Sequence, residues 1–163
     1  TARGRVPSPP DLLADEPAFV RWAQAQSLNS IDLDRPSLGE VLRFREQLTA
    51  LADALDSGLQ PPAGSIAAIN EQLARNGGFH QLTRIGGEWQ LRFAPSRQPA
   101  VLEAIAQSVA ACLVDPLHFV RRCAGVGCSL FFSDDSPNQG RRWCDPAVCG
   151  RQVKVERRRG LLR

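Results

Sequence analysis

Methionine is absent from these 163 residues, and histidine occurs only at His80 and His118. A chain with no initiator methionine is expected to be processed or to be a fragment of a longer one. The two histidines are far apart in sequence, with no nucleophile or carboxylate constellation beside them. No glycine loop suited to phosphates, no paired acids at a revealing spacing and no internal repeat is found either. These absences predict a protein that is not an enzyme. No apolar run approaches the ~18 residues that a membrane helix needs, and none has the order of a secretory signal. A soluble, cytoplasmic protein without a membrane partner is therefore expected. What remains is a globular balance, 43% hydrophobic and 23% charged, with length for one ordinary domain or a medium and a small one.

Four of the five cysteines fall in a palindromic frame, Cys123-x4-Cys128-x15-Cys144-x4-Cys149. Two thiol pairs across a hairpin-length spacer are what a tetrahedral four-thiolate zinc site requires, because each pair grips the ion from one short turn. The rival reading is two disulfides, which a block confined to 123–149 and the lack of a secretory signal disfavour. With sulfur at all four positions no coordination site is left for water, so the single Zn2+ is expected to be structural. Cys112, outside the block, fits a helical pattern as a buried, inert thiol.

Charge is divided along the chain. Residues 1–120 hold 10 Lys and Arg against 13 Asp and Glu; residues 121–163 hold 10 against Asp134, Asp135, Asp145 and Glu156, a balance of +6. A basic metal module on a mildly acidic body is the electrostatic footprint of nucleic-acid binding.

The body, residues 1–117, reads as α-rich. Thr1 to Pro10 is expected to be extended. Asp15 caps a first helix with Pro17 in its first turn and with Phe19, Trp22 and Ala23 facing inward, and Ile31 to Pro36 reads as a loop. Ser37-Leu38-Gly39-Glu40 is a capping box for a helix with the stripe Val41, Leu42, Phe44, Leu48, Leu51 and Leu55, ended by Gly58 and Pro61-Pro62. Ser65 is expected to cap a shorter helix through Ile66, Ile69 and Leu73. A β-hairpin follows with Gly86-Gly87 at its tip; Trp89, Leu91 and Phe93 alternate with Glu88, Gln90 and Arg92. A helix from about Pro99 to Val114 turns Leu102, Ile105, Val109 and Cys112 or Leu113 inward.

In the module, residues 118–163, Ser129 to Phe132 reads as a short apolar strand and Ser133 to Gly140 as a polar loop. Trp143 and a phenylalanine are expected to cover the metal site. Asp145 caps the last helix, Pro146 takes its first position and Gly160 lies just past its end. Arg151, Lys154 and Arg158 share a face of that helix, while Val148 and Val155 are expected to pack on the module. Arg121, Arg122, Arg141 and Arg142 flank the cysteines and have two readings, neutralising the thiolates or contacting nucleic acid. The nucleic-acid candidates are Arg141, Arg142, Arg151, Lys154, Arg157 and Arg158.

The block Cys123-Ala-Gly-Val-Gly-Cys128, Phe132-Ser-Asp-Asp-Ser136, Arg141-Arg142-Trp143-Cys144 and Cys149-Gly150-Arg151 resembles the bacterial CGNR zinc finger. Such fingers usually close a protein whose front part is a helical ABATE domain, and the order of elements in residues 1–115 is similar to one. The resemblance implies an α+β, mainly helical fold: a helical body with one hairpin, then a small treble-clef or ribbon-like four-cysteine finger. It also implies a stress-responsive transcription regulator whose finger binds double-stranded DNA. Arg151-Gln152 replaces the Asn-Arg of the family's motif, which leaves the metal site intact and the base readout open. A zinc-shaped protein-interaction module and a thiol redox switch are the alternatives. A small-molecule effector or a homodimer through the body has no support in the sequence.

Overall fold

The computed structural model describes residues 11, 13–26, 28, 35–115 and 119–160. Expectations for Thr1 to Pro10, for most of the Ile31 to Pro36 loop, for His118 and for the boundary at 117/118 lie outside the described residues.

Five α-helices and two antiparallel hairpins are present among the described residues. Helices α1 (Glu16–Ala25), α2 (Leu38–Asp56) and α3 (Ala63–Arg75) are followed by strands β1 (Gly78–Ile85) and β2 (Glu88–Pro95), then by α4 (Val101–Val114), β3 (Phe119–Arg122), β4 (Phe131–Asp134) and α5 (Arg151–Arg158). The fold is α+β and mainly helical, with four cysteines gathered in the C-terminal region.

The chain forms two compact units. One comprises residues 12–47 and 63–111; the other combines 48–62 with the residues from 112 onward. In the first, Asp15 caps α1 by accepting the Ala18 N–H at 2.7 Å. Ser37 and Glu40 form the expected reciprocal box, at 2.9 Å for Ser37 N–H to Glu40 and 3.3 Å for Glu40 N–H to Ser37 Oγ. The buried apolar residues are Phe19, Ala23, Val41, Phe44, Ile69, Val101, Leu102 and Ala106.

Two expectations fail here, and the expected hairpin stands exposed. Helix α3 begins at Ala63, directly after the two prolines, so Ser65 lies inside its first turn. There it is buried and donates its hydroxyl to the Gln47 carbonyl at 2.8 Å. On α4 the buried run is Val101, Leu102, Glu103 and Ala106; Cys112 is only half-buried, and Leu113 is exposed. The β1–β2 hairpin has the expected Gly86-Gly87 tip, both residues at positive φ, with Leu82 opposite Leu91. Yet Trp89, Leu91 and Phe93 are exposed, because no second layer among the described residues covers either face.

The second unit holds the last turns of α2, with Leu51 and Ala54 buried, and the β3–β4 hairpin with α5. Arg122 ties the two parts together. Its guanidinium pairs with Asp53, and its N–H donates to the Asp56 carboxylate at 3.0 Å.

Candidate metal centre

The hairpin delivers the first pair of thiols. Cys123 follows β3 directly, and its N–H bonds to the Leu130 carbonyl at 2.9 Å. The loop then turns back on itself, with the Cys128 N–H on the Gly125 carbonyl at 3.2 Å. Both glycines of Cys123-Ala-Gly-Val-Gly-Cys128 have a stereochemical reason. A Cβ on Gly125 would lie 2.9 Å from the Cys149 Cβ and 3.0 Å from its sulfur, and Gly127 sits at φ +71°. The second pair comes from the approach to α5. Asp145 accepts the N–H groups of Ala147 and Val148 at 2.7 and 3.1 Å, which starts a π-helical turn, Pro146–Gly150, carrying Cys149 straight into α5. Gly150 lies under the Trp143 ring, leaving no slack for a side chain there.

The four ligand sulfurs, of Cys123, Cys128, Cys144 and Cys149, all lie within 4.8 Å of one another. Cys144 Sγ is 3.8 Å from Cys128 Sγ and 3.7 Å from Cys149 Sγ. A tetrahedron with zinc–sulfur bonds of ~2.3 Å has edges of about 3.8 Å, whereas a disulfide needs ~2.05 Å. All five cysteines are free, so the disulfide alternative falls.

Electrostatics point the same way. Burial opposes a charge on Cys123, but the backbone N–H groups of Cys144 and Gly125, at 3.3 and 3.4 Å from its sulfur, outweigh it and hold the thiol down to about 7. Burial and the neighbouring thiols push Cys144 up, and burial does the same at Cys149. Four thiolates this close require a divalent cation between them. The donor set fits one structural zinc.

The flanking arginines have other work. Arg121 reaches Asp134 at 3.3 Å, Arg122 takes Asp53, and Arg142 lies 5.6 Å over the Trp143 ring. Arg141 donates Nε to the Trp143 carbonyl at 3.0 Å and a terminal nitrogen to the Cys144 carbonyl, while stacking over Phe132. The Cys123 sulfur accepts two backbone N–H groups; no arginine–sulfur hydrogen bond occurs among the described residues.

Two family models match the chain: the CGNR zinc finger over residues 120–160, and ABATE, described as a putative stress-induced transcription regulator, over residues 1–116. The chain belongs to the ABATE family. No curated protein matches it.

This ABATE protein carries one further organising residue that residue-by-residue reading passed over. Asp134, fully buried, accepts from the Ser136 N–H and hydroxyl at 3.1 and 2.6 Å and from the Arg141 N–H at 3.1 Å. The Ser136 hydroxyl bond holds its carboxyl below the usual range, with help from the N–H groups of Ser136 and Arg141 and from Arg121. The signal was the Asp-x-Ser spacing, which favours a side chain bonding its own backbone two residues on. Exchanging Asp134 for Asn sets an amide donor among these donors. Zinc transfer to a competing chelator is expected to be faster in that variant than in the parent, and equal rates would count against this role.

Helix α5 buries Val153 and Glu156 and exposes Val155, while Val148 in the π-helical turn is 61% exposed; the expected packing of Val148 and Val155 is therefore replaced by Val153. Arg151, Lys154, Arg157 and Arg158 are all exposed. Gln152, at the position of the family's motif, is half-buried and donates to Glu156 at 3.4 Å along the helix. No helix among the described residues is long and apolar enough to cross a membrane.

Proposed function

We propose that this protein is a transcription regulator that binds double-stranded DNA through its zinc finger, acting in the cytoplasm as a binding protein rather than an enzyme. The observation that carries this reading is the division of α5. Val153 and Glu156 are buried, and Arg151, Lys154 and Arg158 stand on the opposite side with Arg157 beside them. Cys149 lies in the turn that leads into this helix, so the metal fixes the pose of the basic face. A helix held this way suits a major groove or a run of phosphates. Arg142, exposed beside Trp143, extends the basic surface. Arg141 contributes less, since its guanidinium serves carbonyls of its own loop.

The test is fluorescence anisotropy of the zinc-loaded protein on mixed duplex DNA across a salt series. About four to six phosphate contacts predict a fall in affinity of about two to three decades between ~50 and ~200 mM salt. Changing Arg151, Lys154 and Arg158 to Glu is expected to abolish binding. An absence of binding at low salt, with zinc confirmed in place, would sink the proposal. The second reading, a surface for a protein partner, draws on Leu130 and Val148, 51% and 61% exposed on the finger, and predicts association that is nearly independent of salt.

A further inference from the structure

A cavity of about 460 Å³ opens in the first unit, walled by Arg35 and Glu40, by Gln72 and Arg75 of α3, and by Arg97 and Glu103. Its volume falls within the range of small-molecule sites. An adjoining recess of about 320 Å³ shares Gln72 and Arg75 and adds Arg43.

The acids of this wall are already engaged. Glu103 accepts two bonds from Arg97, at 2.7 and 2.9 Å, and one from the Ala100 N–H at 3.0 Å. Glu40 accepts from the Ser37 N–H and hydroxyl at 2.9 and 2.8 Å. Arg75 is held far more loosely. Its side chain is 53% exposed, and its ion pair with Glu71 spans 3.9 Å. Arg75 is therefore the cation of this wall with the loosest partner. One turn before Arg75, Gln72 is 9% exposed and its Oε1 has no hydrogen bond among the described residues. Buried amides are normally paired, and a group held in the cavity would supply Gln72 with the donor it lacks.

The geometry points to a binding site for a small organic anion, carrying a carboxylate or a phosphate for Arg75 and a hydrogen-bond donor for Gln72 Oε1. Guanidinium groups take both anion types through paired N–H donors, and the amide carbonyl adds selectivity for a hydroxyl-bearing molecule. This inference goes beyond the regulatory reading and does not depend on the finger binding DNA.

The test titrates the zinc-loaded full chain with inorganic phosphate, with citrate and with glycerol, following amide and side-chain resonances by NMR. Saturable shifts at Gln72 and Arg75 with phosphate, citrate or both are expected, and the stronger of the two identifies the anion type. Glycerol, which has the hydroxyls without the charge, is expected to give none. Arg75→Ala is expected to weaken the anion by about tenfold or more, while Arg92→Ala on the exposed hairpin leaves it unchanged. Gln72→Leu guards against a trivial folding defect: it removes an unpaired carbonyl, so it should bind more weakly without melting earlier. No saturable shift from either anion, shifts matched by glycerol, or unaltered binding in Arg75→Ala would each overturn the inference.

Discussion

Replacing Cys144 with Ser, or stripping the zinc with a chelator, is expected to unfold residues 119–160 while the first unit stays folded. Cys144 is the centre of the cluster: its sulfur faces those of Cys128 and Cys149, and its N–H bonds the Cys123 sulfur. The finger has little else to fold around. Its strands are four residues each, and its buried apolar residues are Cys123, Cys149 and Val153. A core this small does not offset the conformational entropy of some forty residues. The metal supplies the difference, since apparent zinc-binding energies of finger peptides run to about 10–16 kcal/mol and appear as folding energy. Hydrogen exchange should therefore show finger amides losing protection together when zinc is removed. The last turn of α2 should loosen with them, because Asp53 and Asp56 lose Arg122. Amides of α1 and α3 should keep their protection. Finger amides that stay protected without metal would show that the zinc is not structural.

Local signals in the sequence were legible, and tertiary ones were not. The cap at Asp15, the Ser37–Glu40 box, the Gly86-Gly87 tip and the Asp145-Pro146 start each involve residues within four positions, so a short window contains all the physics. The zinc ligands were legible for a related reason: thiolate spacing is dictated by the metal, whatever fold surrounds it. Ser65 was misread because its true acceptor, the Gln47 carbonyl, is 18 residues away and only packing brings it near. Glu103, only 3% exposed, was passed over altogether. Arg141 has hydrogen bonds to backbone carbonyls in its own loop that its residue type alone does not foretell. Strand β3 escaped because Phe119 to Arg122 alternates too briefly to stand out, and only its register against β4 defines it. Ser65 and Glu103 share one cause. Burial of a polar group is decided by distant partners, and composition does not reveal them.

Glu103 makes that point testable. Its side chain is 4% exposed and its partner Arg97 is 41% exposed, so the pair lies half inside the first unit. Arg97→Ala would leave a buried carboxylate with only the Ala100 N–H as donor. Removing one partner of a buried pair typically costs 3–5 kcal/mol; with Arg97 partly in water, a loss of about 3 kcal/mol is expected. Glu103→Gln keeps the shape and should cost less, because a neutral amide carries a smaller desolvation penalty. The pH dependence separates these cases from simple loss of packing. The hydrogen bond from Arg97 holds the Glu103 carboxyl below its ordinary value, even though burial pushes the other way. Its contribution is therefore complete above the ordinary glutamate range and is lost as pH falls through the lowered value. Urea melts followed at α4 amide resonances should show the widest gap between parent and Glu103→Gln near neutrality. The gap should close on acidification, as the parent becomes protonated too. A gap independent of pH would assign the loss to shape and packing instead of charge.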